Sequence, residues 1–146
     1  MIRAGTLADL PAAGDVFRRA SLSNAGDRDN LLAHPEYLIL GQEGLAEGRT
    51  YVAEEAGLVV GFATWSQGGG TTELEDLFVD PDWHRRGIAT ALVGHIAEIL
   101  RERGVRSLEV TANPDAEGFY GAAGFVHCGL AETPLRTARR MRLSLR

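Results

Sequence analysis

Arg85 and Arg86 stand directly before Gly87, and the amphipathic run Ile88-Ala-Thr-Ala-Leu-Val93 follows. A strand-like run, Leu74-Glu-Asp-Leu-Phe-Val-Asp-Pro81, precedes them across Asp82, Trp83 and His84. This order sets a basic turn at the start of a helix. The first N–H groups of a helix have no partner inside it and carry the positive end of its dipole. A phosphate or pyrophosphate can dock there. Gly87 has no side chain to block that approach, and the two guanidinium groups add charge-assisted donors. The segment is therefore expected to be an anion cradle for a phosphorylated ligand.

Two familiar phosphate binders do not fit. The nucleotide P-loop needs Gly-x-x-x-x-Gly-Lys-Ser/Thr, and this chain has no lysine: all 15 basic residues are Arg. The dinucleotide pattern Gly-x-Gly-x-x-Gly is missing at this turn. What remains is His84-Arg85-Arg86-Gly87-Ile88-Ala89 after a strand. Further on, residues 113–125 read Asn-Pro-Asp-Ala-Glu-Gly-Phe-Tyr-Gly-Ala-Ala-Gly-Phe.

These two segments resemble the two signatures of the GNAT superfamily, the acetyl-CoA-dependent N-acetyltransferases. The first signature is Gln/Arg-x-x-Gly-x-Gly/Ala, with His84 here where Gln or Arg is usual. The second places Asn, Ala, Tyr and Gly-Phe at the spacing of Asn113, Ala116, Tyr120 and Gly124-Phe125. Both occur in the family's order, and the resemblance covers about residues 50–130. It implies an α/β (α+β) fold: a mixed, mostly antiparallel central sheet flanked by helices. It also implies a splayed strand pair holding acyl-CoA, in one domain over residues 1–146. The pyrophosphate would lie on the cradle. Backbone groups of Leu77, Phe78 and Val79 would pair with the pantetheine arm.

The implied reaction moves an acetyl group from acetyl-CoA to a primary amine of a small molecule, peptide or protein. The amine attacks directly in a ternary complex. The family position for the acid that protonates the departing thiolate is Tyr120, since a phenol of pKa ~10 can share a proton with a thiol. The Val79 N–H is the expected oxyanion donor. Glu73 or Glu75 is the candidate base; they share a face of a regular strand, with Asp76 on the other, and a bulge would reshuffle them. Asn113 either caps the following helix or reaches the cofactor. His84 either contacts phosphate or points to solvent. At least one of Arg85 and Arg86 is expected on phosphate, and Thr90 offers a hydroxyl there. The alternative reading is a non-catalytic acyl-CoA sensor or regulatory module.

The elements that position these groups follow from periodicity. Ile2–Ala4 reads as a strand. Thr6 is a candidate N-cap for a helix reaching about Ala20. The polar stretch 21–30 reads as a loop, and 31–45 as one or two short helices. Residues 49–55 and 58–67 form a hairpin around Ala56-Gly57, and Thr71–Val79 continues the sheet. Ile88, Ala91, Leu92, Ile96, Ile99 and Leu100 share a helical face that Gly104 ends. Ser107–Thr111 is a strand, parallel to its predecessor because a helix connects them. Pro114–Ala122 is a short helix, and 124–128 and 139–145 are antiparallel closing strands.

Composition sets the remaining bounds. The chain has 146 residues, 45% hydrophobic and 24% charged, with net charge −5, which suits a globular domain. The acidic balance argues against nucleic acid as partner. The Arg-rich end alternates with Met141, Leu143 and Leu145, as a half-buried strand does. No apolar run reaches the ~20 residues of a membrane span, no leader-like start is visible, and the lone Cys128 rules out an internal disulfide; a cytoplasmic location is expected. Cys128 reads as a small core residue. His34, His95 and His127 lack metal-ligand spacing, so no metal is expected. A homodimer fits the resemblance.

Overall fold

A computed structural model describes residues 1–134 and 136–146. Its frame is a seven-stranded sheet in the order β1-β2-β3-β4-β5-β7-β6. The strands are β1 (Ile2–Ala4), β2 (Thr50–Glu55), β3 (Leu58–Gly68), β4 (Thr71–Val79), β5 (Ser107–Ala112), β6 (Val126–Glu132) and β7 (Thr137–Ser144). All neighbours are antiparallel except β4 and β5, which are parallel. The helices are α1 (Leu10–Leu22), α2 (Arg28–Ala33), α3 (Glu43–Ala46), α4 (Ile88–Glu102) and α5 (Glu117–Ala122).

One face of the sheet packs on α4. Ile88, Leu92, Val93, Ile96, Ala97 and Leu100 are buried there, against Val60, Ala63, Leu74, Leu108, Val110 and Met141. Gly61 makes this packing possible. A Cβ there would lie 3.1 Å from the Phe78 carbonyl oxygen and 3.3 Å from Ile88, so a larger residue would push helix and sheet apart. The opposite face packs on α1 through Ala13, Val16, Val52 and Phe62.

Three expectations need correction. Residues 21–30 are not one loop: α1 runs to Leu22 and α2 begins at Arg28, since polar residues on an outer face do not stop a helix. The expected α4 face included Ala91, which is exposed, while Val93 and Ala97 are buried instead. Cys128 is exposed rather than core. It sits on the edge strand β6, where the register slips between His127 and Gly129, and that strand is exposed along most of its described length. No helix among the described residues is long and apolar enough to cross a membrane.

Candidate active site

The parallel pair β4–β5 holds the site because it is barely a pair. Its register consists of one residue pair, Glu73 with Glu109. Beyond it β4 stays on β3, with Leu77, Phe78 and Val79 opposite Ala63, Phe62 and Gly61, while β5 stays on β7. The strands therefore diverge into a V. The Asp80 N–H donates to the Val60 carbonyl at 2.8 Å. By strand alternation the backbone of Phe78 also turns toward β3, and that of Leu77 and Val79 turns into the V. Unpaired strand edges invite an extended ligand. A cavity of about 730 Å³ opens there, lined by Leu77, Phe78, Val79, His84, Asn113 and Ala116 on one side and by Phe17, Ser21, Asn24 and Tyr37 on the other.

At the mouth of the V the chain turns into α4. Gly87 is the N-cap with φ 77°, a left-handed conformation that favours glycine. A second cavity of about 250 Å³ sits at this helix start, lined by Val79, Trp83, His84, Arg85, Gly87, Ile88, Ala89, Thr90 and Phe119. The cradle expected from the sequence is thus an open hollow. Arg85 and Arg86 are exposed, and neither makes an ion pair among the described residues. The Arg86 guanidinium stacks 4.6 Å over the Trp83 ring, which steadies it. His84 points neither to solvent alone nor into the cradle alone: its Nε2 lies 3.1 Å from the Val79 carbonyl oxygen. A carbonyl only accepts, so the hydrogen sits on Nε2.

A clamp missed in the sequence holds the cradle in place. Asp80, buried, accepts from the Asp82 N–H at 2.9 Å and pairs with Arg19 of α1 at 2.8 Å. Arg19 also reaches Asp82 at 3.0 Å. Asp80-Pro81 reads locally as a strand end, and nothing in the sequence signals a partner 61 residues away.

The second signature lies across the V. Asn113 Oδ1 accepts from the Ala116 N–H at 2.9 Å, and Asn113 lines the cleft. It caps a turn that precedes α5, so the helix starts at Glu117 rather than Pro114. Tyr120 is buried between Phe119 and Phe125, both edge-on at 5.2 Å. Burial raises its phenol pKa well above the ordinary value, so the ring stays neutral. Tyr120 lies in the core cluster and does not line the cleft.

The acidic run on β4 is not regular. The register slips between Thr64/Asp76 and Trp65/Leu74, so Glu75 is the extra residue of a bulge. Glu73 is held by Arg140, with one contact at 2.7 Å. Glu75 faces Arg49 at 3.5 Å. Asp76 has no cationic partner within ion-pair distance among the described residues. The bulge turns it onto the α1 face, in a cavity of about 180 Å³ with Thr50, Thr64, Phe62 and Glu75. Burial, and then the nearby Glu75 charge, push its carboxyl up to about 6. Phe17 lines both this cavity and the cleft. No group of three His, Cys, Asp or Glu side chains among the described residues could hold a metal.

The site is thus a V-shaped opening in a mixed sheet with a helix N-terminus at its mouth. Residues 19–125 match the model of the Acetyltransferase (GNAT) family; the chain belongs to that family. It is 41% identical over 91 residues to a streptothricin acetyltransferase of Streptomyces lavendulae, covering 58% of this chain and 48% of that one. It is 35% identical over 72 residues to an uncharacterized N-acetyltransferase of Methanocaldococcus jannaschii, covering 47% of this chain and 32% of that one. The chain thus spans less than half the length of these curated relatives. The PaiA N-acetyltransferase of Thermoplasma acidophilum, solved with coenzyme A, shares the fold at TM-score 0.75 and 14% identity, over 99% of this chain and 98% of that one.

Proposed function

We propose that this protein is an N-acetyltransferase that moves an acetyl group from acetyl-CoA to a primary amine by direct attack in a ternary complex. The observation that carries this reading is the V between β4 and β5, where the backbone groups of Leu77 and the Val79 N–H have no hydrogen-bond partner on a neighbouring strand among the described residues, beside a helix N-terminus. The residues fit the co-substrate. Pantetheine amides can pair with the open strand edge, and the pyrophosphate can take the N–H groups after Gly87 with Arg85 or Arg86 beside it. Family membership and the coenzyme A complex of a structural relative support the same ligand.

In this reading the neutral amine attacks the thioester carbonyl carbon, and the Val79 N–H stabilises the oxyanion. The C–S bond breaks, and Tyr120 supplies a proton to the leaving sulfur; its buried, neutral phenol has that proton to give. Asp76 is better suited as base than Glu73 or Glu75. Those two already face guanidinium groups, whereas Asp76 holds a proton more readily. It would take the amine proton through water from the compartment behind Phe17. The acceptor class is a primary amine, in keeping with the relative that acetylates streptothricin.

Tyr120 lies outside the cleft lining, and this favours a second reading, a module that binds acyl-CoA without turning it over. Thiol release from acetyl-CoA over a panel of amines separates the two. Acceptor-dependent release establishes the enzyme. Saturable acetyl-CoA binding with no release across mono-, di- and polyamines, amino acids and peptides supports the binding module.

A further inference from the structure

We propose that Arg140 is a positioning residue that fixes the opening of the V and thereby the fit of pantetheine; this rests on the acetyl-CoA reading above. The V closes at one backbone pair, and both members of that pair are carboxylates, Glu73 and Glu109. Paired residues on neighbouring strands project from the same face, and like charges directly opposite each other repel. Arg140 on β7 reaches over β5 to lie between them. Its Nη1 donates to Glu73 at 2.7 Å and to the Thr111 hydroxyl at 2.9 Å. Its Nη2 donates to Glu109 at 3.1 Å and also to Glu73. The side chains are 19%, 28% and 12% exposed for Arg140, Glu73 and Glu109, so water screens this cluster weakly.

The guanidinium fork thus ties three strands together at the point where two of them part. Leverage makes this matter for the ligand. Leu77 lies four residues beyond Glu73, or ~13 Å along a strand. A rotation of ~5° at the vertex moves that edge by ~1 Å, enough to stretch a ~2.9 Å hydrogen bond past its useful range. The cradle at Gly87 has an anchor of its own, the pairing of Arg19 with Asp80.

The test measures Kd by calorimetry for coenzyme A and for adenosine 3′,5′-bisphosphate, which lacks pantetheine. The proteins are the unaltered chain, Arg140→Met, Arg140→Lys and the triple variant Glu73→Gln/Glu109→Gln/Arg140→Met. We expect Arg140→Met to weaken coenzyme A at least about tenfold, while the bisphosphate changes by less than about twofold. Lys keeps the charge without the fork and is expected to fall between. The triple variant removes the repulsion and is expected to recover most of the loss, which also covers the case in which Arg140→Met alone does not fold. Equal losses for both ligands, unchanged coenzyme A binding, or no recovery in a folded triple variant would overturn the role. Failure of the unaltered chain to bind coenzyme A would instead overturn the acetyl-CoA reading itself.

Discussion

Replacing Asp76 by Asn is expected to stabilise the fold and disable the reaction, and the two effects share one cause. The folded protein holds the Asp76 proton up to about pH 6, against an ordinary value of 3.8. Between those values the folded state binds more protons than the unfolded state, so stability falls as pH rises through that window. Above about pH 6 the penalty is complete. The gap corresponds to about 3 kcal/mol at pH 8, and residual solvent contact makes this a ceiling. Asn is close in shape and carries no charge. The Asp76→Asn protein should therefore be up to about 3 kcal/mol more stable at pH 8 and nearly equal to the unaltered chain below about pH 4. In urea this is a midpoint shift of roughly 1–2 M at pH 8, and the other titrating groups cancel between the two proteins. With the base gone, turnover should fall by about 10²–10⁴, and the acid limb of the pH–rate profile near 6 should disappear. An Asp76→Asn protein no more stable at pH 8, or equally stabilised at pH 4, would refute the buried-carboxylate reasoning. Intact turnover would remove Asp76 from the mechanism.

Other perturbations probe separate parts of the site. Tyr120→Phe should lower turnover by about 10²-fold or more while leaving coenzyme A affinity within about threefold; equal losses in both would make Tyr120 a packing residue. Burial keeps that phenol neutral, so no basic limb from Tyr120 should appear in the pH–rate profile up to about pH 9. Glu at both Arg85 and Arg86 should weaken coenzyme A binding about tenfold or more at low salt, with the effect shrinking as salt rises; unchanged affinity would remove both from the phosphate site.

The hollow at the start of α4 was legible in the sequence because its physics is local. A strand, a Gly and a helix start are consecutive, and the hollow at Gly87 lies where the run 84–90 puts it. The parallel step from β4 to β5 followed from the helix between them. The surroundings of the acidic residues on β4 were less legible because they depend on contacts distant in sequence. Glu73 resembles a free base until Arg140, 67 residues away, is seen on it. Asp76 faces α1 only because β4 slips by one residue against β3, and no residue type marks that slip. The burial of Tyr120 depends on Phe125 and on the packing of α5, which the signature spacing does not encode. Cys128 shows the same limit from the other side, since alternation predicts a face but not whether anything covers it.

The most direct test of the acetyl-CoA site is calorimetric titration of the unaltered protein with acetyl-CoA, coenzyme A and ATP. Saturable binding of acetyl-CoA and coenzyme A, with ATP clearly weaker because it cannot fill the V, is the expected result. A folded protein that binds neither thioester nor thiol, or that prefers ATP, would contradict the reading of the V between β4 and β5 as an acyl-CoA site.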